Sequence, residues 1–274
     1  MVKALILAAG RGERLRPLTD KQPKPMLEVH GIPMMQWAMR ALGMGGFTNL
    51  VVNTAWLGQQ IENHYSTHFV DHFGPESAYL LPSVLLNSEQ HSRKSCAYNI
   101  QYSHEGIDFG GALETAGGIV RALPLLCSPQ EGDIFWVLAG DVFAPNFPFS
   151  QDSIDRFKAS NKLAHLWLVP NPQHNALGDF GLQEDGLVLN EAGSNGQKYT
   201  FSTVALYRQS FFSSPYCDIA EGNPTGINEA LAPLLRKAID DKQVSAELYT
   251  DTWVDVGTPE RLKQLNNQTL YDSI

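Results

Sequence analysis

A short apolar run, residues 2–8, empties directly into Ala9-Gly10-Arg11-Gly12, and this junction restricts the fold more than anything else in the chain. Bounded so tightly by glycine, the run reads as a buried strand. The loop after it has almost no side-chain bulk, so backbone N–H groups can close around an anion. Arg14, Arg16, Lys21 and Lys24 follow within a few residues and supply countercharge. A strand, a glycine loop and then cations form a plan for gripping a polyphosphate. The whole chain carries a net charge of −9, which argues against a nucleic-acid binder. Within residues 1–26, however, Lys3, Arg11, Arg14, Arg16, Lys21 and Lys24 stand against only Glu13 and Asp20. Positive charge is thus focused where the anion would sit.

Two phosphate loops are excluded. The dinucleotide fingerprint G-x-G-x-x-G would need glycine where Leu15 stands, and no G-x-x-x-x-G-K-[ST] string occurs.

Beyond the loop the pattern alternates. Residues 34–42 have helical apolar spacing and end at Gly43, Gly45 and Gly46; residues 50–53 read as a second strand and 55–65 as a helix. A third strand is expected over 98–103, a helix over 115–123 and a fourth strand over 134–139. Such alternation implies an α/β fold: a Rossmann-like, mostly parallel (mixed) sheet flanked by helices. In these sheets ligands sit beyond the carboxyl ends of the strands. The second half is richer in β-structure, with strands expected over 163–169, 187–189, 199–207, 244–249 and 252–256, and an amphipathic helix over 227–242. No linker separates the halves, so residues 1–274 read as one domain with halves meeting near residue 145. Residues 66–97 show little periodicity and read as an irregular insertion.

Two carboxylates follow buried strands. Asp141 ends Phe135-Trp136-Val137-Leu138-Ala139-Gly140-Asp141, and Asp255 lies in Trp253-Val254-Asp255-Val256-Gly257-Thr258. Taken alone, each could cap the turn after it. Beside a polyphosphate loop they are candidates for holding a divalent cation, since Mg²⁺ is usually bound by one or two carboxylates plus substrate phosphates. If their stretch is helical, His64, His68 and His72 share one face, but no H-E-x-x-H pattern accompanies them. Trp56 reads as a core or interface residue. Cys96, Cys127 and Cys217 are odd in number, lack metal or redox spacing, and read as reduced thiols. No secretory signal or span of ~20 apolar residues is seen, so a cytoplasmic protein is expected.

The string G-x-G-x-R-x-x-P-L-T followed by P-K-P, here Gly10, Gly12, Arg14, Pro17, Leu18, Thr19, Pro23, Lys24 and Pro25, resembles the signature of sugar-nucleotide pyrophosphorylases. Met26 stands where the family usually has leucine. The Asp141 and Asp255 strings are similar to that family's two metal-ligand aspartates. The resemblance implies a nucleotide-diphospho-sugar transferase fold, an N-terminal nucleotide-binding half and a C-terminal sugar-binding half. It also implies attack of a sugar 1-phosphate on an NTP, with Mg²⁺ held by Asp141 and Asp255. It assigns phosphate binding and transition-state stabilisation to Arg14 and Lys24. Nucleotide contacts fall to Ala8, Ala9, Gly10, Gly12, Glu105, Glu114 and Thr115, and acceptor contacts to Asn53, Gly178, Asp179, Glu191 and Ser202. Residues 53–62, 113–118 and 178–180 are most similar to family members that join UTP to N-acetylmuramate 1-phosphate in peptidoglycan recycling. Ala116 stands where those members tend to have glycine, and no lysine follows Glu191 as in the family's E-K-P string. Glucose 1-phosphate, mannose 1-phosphate and phosphocholine are alternative acceptors. A regulatory module that holds a nucleotide without turnover is the reading from another class, and it would predict loss of Lys24 or an aspartate. A monomer or small homo-oligomer is expected, with neither nucleic acid nor membrane as partner.

Overall fold

The computed structural model describes residues 2–73 and 94–268. In chain order the first half contains β1 (Ala4–Leu7), β2 (Glu28–Val29), β3 (Ile32–Pro33), α1 (Met34–Met44), β4 (Asn49–Thr54), α2 (Gly58–Tyr65), β5 (His68–Phe73), β6 (Lys94–His104), α3 (Glu105–Phe109), α4 (Glu114–Leu126) and β7 (Ile134–Ala139). There follow β8 (Val142–Phe143), α5 (Gln151–Ser160), β9 (Ala164–Val169), β10 (Gly181–Leu182), β11 (Val188–Leu189), β12 (Thr200–Arg208), α6 (Leu231–Asp240), β13 (Val244–Leu248), β14 (Val254–Asp255) and α7 (Pro259–Asn267).

Eight strands form one sheet in the order β13-β9-β12-β7-β1-β4-β6-β5. β1 runs parallel to both β4 and β7, and β4 runs parallel to β6. β12 is antiparallel to β7 and β9, and β5 to β6, so the sheet is mixed. Alternation of side chains along each strand divides the core between two faces. Leu5, Val51, Val137, Leu166 and Ala205 pack with α4 and α6; Ala4, Ile6, Val52, Trp136, Val204 and Leu206 pack with α1, α2 and α5. The chain leaves β1 toward β4 and β6, then returns to β7 on β1's other side. That reversal opens a crevice at the carboxyl ends of β1 and β7.

Three sequence expectations change. The helix expected over 227–242 forms only from Leu231. Upstream of it, the Glu229 carbonyl accepts from Ala116 and Gly117 N–H (2.9 and 3.1 Å), and Asn223 brackets Ile227 through both its N–H and C=O. The backbone there is committed to the open first turn of α4, where N–H groups have no partner within the helix. The three histidines do not share a helix: α2 stops at Tyr65, Ser66 takes φ +53°, and His68 and His72 belong to β5. The irregular segment expected over 66–97 has ordered flanks. β5 pairs with β6 as an edge ribbon, anchored by buried Asp71, which accepts from Gln36 Nε2 (2.9 Å) and Arg40 Nε (2.6 Å). Residues 74–93 lie outside the described residues.

One core group makes stability depend on pH. His165 of β9 sits edge-on to Trp167 with centroids 4.6 Å apart, and its Nδ1 is 2.9 Å from Ser245 Oγ. Burial lowers its pKa from 6.5 to about 4. The unfolded chain therefore takes up this proton near pH 6.5 and the folded chain only near pH 4. Stability is fully present above that window and falls as the pH drops through it, by on the order of 1–3 kcal/mol. Urea unfolding at pH 7 and pH 5 should show this loss, and His165→Gln should reduce it. An unchanged slope in the variant would assign the pH dependence to other groups.

Candidate active site

The loop after β1 is held from three sides. The Ala8 N–H donates to Asn53 Oδ1 (2.6 Å), tying the loop to the end of β4. Gly12 has φ +67°, and a Cβ there would lie 3.0 Å from Thr19 Cγ2 and 3.2 Å from Lys24 Cβ, so glycine is favoured on both counts. Its carbonyl accepts from Leu15 N–H and from Thr19 Oγ1, both at 2.9 Å. A Cβ on Gly10, by contrast, would meet nothing within 4 Å. The protein itself leaves that space open.

Not every cation in the segment is free to meet an anion. Arg11 donates to the Thr19 carbonyl (2.8 Å) and Asp20 Oδ1 (2.7 Å). It also lies 3.8 Å above the ring of Trp56, whose Nε1 donates to the same carbonyl (2.9 Å). Arg11 is spent on bracing the loop, and its hydrogen bond is the main reason the Asp20 carboxyl falls below its ordinary range. Trp56, half-buried, serves as the loop's floor and not as a core residue. Arg16 also pairs with Asp20 (2.8 Å). Arg14 is exposed and has no ion pair or side-chain hydrogen bond among the described residues. Lys24 is nearly buried, and its Nζ donates to Asp141 Oδ2.

Asp141 and Asp255 come from distant parts of the chain to adjacent strands. β8 and β14 pair antiparallel with Asp255 opposite Val142, and the Val256 N–H reaches the Asp141 carbonyl at 3.4 Å. The ladder rests on a small core of its own, in which Leu15, Leu27, Trp37, Phe143, Val256 and Leu265 meet. Trp37 and Phe143 touch edge to face at 5.5 Å. This cluster fastens the glycine-loop segment to the aspartate ladder and α7. Asp255 Oδ2 accepts from Arg261 Nη1 (3.0 Å) and lies 3.2 Å from His174 Nε2. Among the described residues, no group of three or more His, Cys, Asp or Glu side chains converges as a metal site.

Between these parts lies a cavity of about 700 Å³. Ala9, Gly10, Glu114, Thr115 and Asp141 line it from the first half of the chain; Asp179, Phe180, Phe201, Thr203, Tyr207 and Arg236 line it from the second. Glu114 opens α4 with φ +59°, a conformation that costs a side-chain-bearing residue of order 1 kcal/mol and concentrates at functional sites. Asn53 and Glu105 reach the cavity wall but are buried: Asn53 Nδ2 donates to Glu105 Oε1 (2.6 Å), and Leu113 N–H donates to Glu105 Oε2 (2.8 Å). Burial pushes the Glu105 carboxyl up, against the pull of those two donors. With both oxygens taken, Glu105 is an internal strut joining the glycine loop, through Asn53 and Ala8, to the start of α4.

The acceptor candidates divide. Asp179 lines the cavity, its Oδ1 accepting from Asn175 Nδ2 (3.2 Å) and its Oδ2 from Phe201 N–H (2.8 Å). Gly178 makes the turn before it with φ +66°. Glu191 is exposed and does not line the cavity. Ser202 is fully buried and stands apart from the lining, its hydroxyl accepting from Val204 N–H (3.1 Å). Arg14, Lys24 and Asp255 are likewise outside the lining, though Lys24 reaches it through Asp141. Sequence reading missed Thr203, Tyr207, Arg236, His174 and Arg261. No local signal separates Thr203 from Ser202, because the β12–β9 register shifts between Phe201 and Ala205.

Residues 3–271 match the nucleotidyl transferase family. The chain is 42% identical over 269 residues to the N-acetylmuramate alpha-1-phosphate uridylyltransferase of Neisseria meningitidis, covering 96% of each. It is 31% identical over 258 residues to a UTP–glucose-1-phosphate uridylyltransferase of Synechocystis, covering 93% of this chain and 60% of that one. The fold is shared with a Bacillus anthracis protein described as a glucose-1-phosphate thymidylyltransferase, with TM-score 0.70 and 16% identity over 97% of this chain and 94% of that one.

Proposed function

The chain belongs to the nucleotidyl transferase family, and from that premise we propose that it joins UTP to N-acetylmuramate 1-phosphate, releasing pyrophosphate and forming UDP-N-acetylmuramate. The observation that carries the chemistry is the Lys24–Asp141 pair, set beside an open glycine loop at the mouth of one cavity. The near full-length likeness to the Neisseria protein supports the choice of base and acceptor.

The NTP phosphates lie against the Ala8–Gly12 backbone, in the space kept open at Gly10. Arg14, which has no side-chain partner among the described residues, swings onto them, and Lys24 meets the α-phosphate as charge builds there. Glu114 and Thr115 take the base and ribose, while Asp179 contributes at the sugar end. A phosphate oxygen of the acceptor attacks the α-phosphorus; the bond to pyrophosphate breaks, and pyrophosphate leaves with the electron pair. The attacking oxygen is already anionic at neutral pH, so no general base is needed. Catalysis is then positioning of the two anions in line plus electrostatic stabilisation of the charge that shifts between them.

Asp141 and Asp255 fit a Mg²⁺ ion by the chemistry of their donors. They are hard carboxylate oxygens, one in the turn just before β8 and one on the paired strand β14, each already drawing cationic side chains. When bound, the ion neutralises phosphate oxygens and so lowers the repulsion between donor and acceptor. The use of UTP, an intracellular nucleotide, supports a cytoplasmic reaction, and a muramate acceptor supports reuse of cell-wall sugar. No helix among the described residues is long and apolar enough to cross a membrane.

A matrix of UTP, CTP, GTP and dTTP against N-acetylmuramate, glucose and mannose 1-phosphates and phosphocholine, read as pyrophosphate release, tests the assignment. UTP with the muramate acceptor should lead. A purine leaves the site's uracil partners unpaired, which costs ~1–3 kcal/mol per buried group, so GTP should fall at least ~10-fold behind. Robust turnover of GTP with mannose 1-phosphate and none of UTP with the muramate acceptor would overturn the substrate assignment and leave the reaction class standing.

A further inference from the structure

Thr203 bears two uncompensated features at one place in the cavity wall. Its φ is +69°, in the left-handed region that suits glycine and penalises a β-branched side chain. Its Oγ1 is buried and has no hydrogen-bond partner among the described residues. An orphaned hydroxyl is a cost in free energy, and backbone strain of this kind persists where the surrounding structure enforces it.

The surroundings enforce it here. The β12–β9 register shifts between Phe201 and Ala205. The bulge is pinned on both sides: Ser202 Oγ accepts from Val204 N–H (3.1 Å), and the Ser202 carbonyl accepts from Trp253 Nε1 (3.0 Å). Trp253 lies two residues before Asp255, so the bulge is fastened to the strand that carries the second aspartate. Ala205 pairs with Val137 of β7, which runs antiparallel, so Thr203 lies alongside the Ala139 end of that strand, just before Asp141. It lines the same cavity as Asp141 and Asp179.

We propose that Thr203 is an acceptor-binding residue whose hydroxyl hydrogen-bonds the sugar 1-phosphate. The assignment rests on the reading of the cavity as the site of sugar 1-phosphate transfer. Rotation about Cα–Cβ, which is fast for a side chain at a cavity wall, turns the hydroxyl onto the ligand and gives it the partner it lacks. Glycine would relieve the backbone and lose the contact, so threonine at this position exchanges local stability for recognition.

Three variants test the idea by initial rates with each substrate varied in turn, together with thermal midpoints. Thr203→Val keeps shape and strain but removes the hydroxyl; KM for the acceptor should rise ~10-fold, with KM for UTP unchanged, the scale of one hydrogen bond. Thr203→Ser keeps the hydroxyl and should stay within ~3-fold of the parent. Thr203→Gly should match the valine variant in acceptor KM without a lower thermal midpoint, because the backbone conformation suits glycine. Unchanged acceptor KM in both the valine and glycine variants overturns the proposal, as does an equal rise in KM for UTP. The unmutated protein, run first against the acceptor matrix, separates the two readings. If it prefers another sugar 1-phosphate, the variants are measured with that one. If it turns over none and binds none by calorimetry, the reading of the site fails, and the inference with it.

Discussion

Lys24→Ala lowers kcat/KM by at least ~10²-fold in a protein that still folds. The side chain is only 10% exposed, so its loss could be mistaken for damage to the core. The local structure argues otherwise. The turn that carries Lys24 is closed by backbone bonds, Met26 N–H to the Pro23 carbonyl (2.9 Å) and Leu27 N–H to the Lys24 carbonyl (3.1 Å). Met26 and Leu27 anchor it in two separate apolar clusters. The partner left behind, Asp141, keeps 29% of its side-chain surface in water and is not stranded as a buried charge. What disappears is a cation fixed beside the glycine loop, at the place where negative charge shifts during transfer. Removing one such preorganised donor costs ~10²–10³-fold. Lys24→Met, which retains the apolar stem, should lose as much activity as the alanine variant while matching the parent's thermal midpoint. Near-parental turnover in either well-folded variant would take Lys24 out of the chemistry.

Asp141→Asn and Asp255→Asn should each reduce activity by ~10²–10³-fold at ordinary Mg²⁺ concentrations, with partial recovery as Mg²⁺ is raised. Asparagine keeps the volume and one acceptor oxygen but removes the charge that draws a cation. The two variants should differ in stability. Asp255 also accepts from Arg261, whose backbone N–H is capped by Thr258 Oγ1 at 3.3 Å, so this carboxylate helps dock α7. Asp141 has Lys24 as its side-chain ion partner, on a turn held by its own backbone. Asp255→Asn should therefore lower the thermal midpoint more than Asp141→Asn does. Calorimetric titration with Mg²⁺ and UTP supplies a readout independent of turnover. Unaltered Mg²⁺ dependence in both variants would refute the shared cation site.

The strand, its glycine loop and the run of cations were legible because each depends on neighbours in sequence. Gly12 shows this well: a left-handed turn between a buried strand and a buried threonine leaves little room for a Cβ and favours glycine. The strand at 134–139 and the helix beginning near residue 34 were legible for the same reason, since burial on one or both faces sets the apolar pattern of the segment itself. The family was legible through strings at three separated places, and the match across residues 3–271 agrees with it.

Other features depend on what lies across from a residue, and only the tertiary structure decides that. Arg11 and Lys24 look alike as loop cations, yet one is bound to Trp56 and Asp20 and the other to Asp141. The helix expected from residue 227 starts late because the free N–H groups of α4, more than a hundred residues earlier in the chain, claim that backbone. Glu105 lines the cavity as expected, but that Asn53 and Leu113 each donate to one of its oxygens is set across the fold. Ser202 and Thr203 exchange roles because a bulge moves the register by which side chains alternate between faces. Local sequence determines which segments become strands, turns and helices, since those choices rest on one residue's φ and ψ and on short hydrogen bonds. Which carboxylate meets which cation, and which hydroxyl faces the cavity, rests on long-range packing in which each contact is set by the whole chain at once.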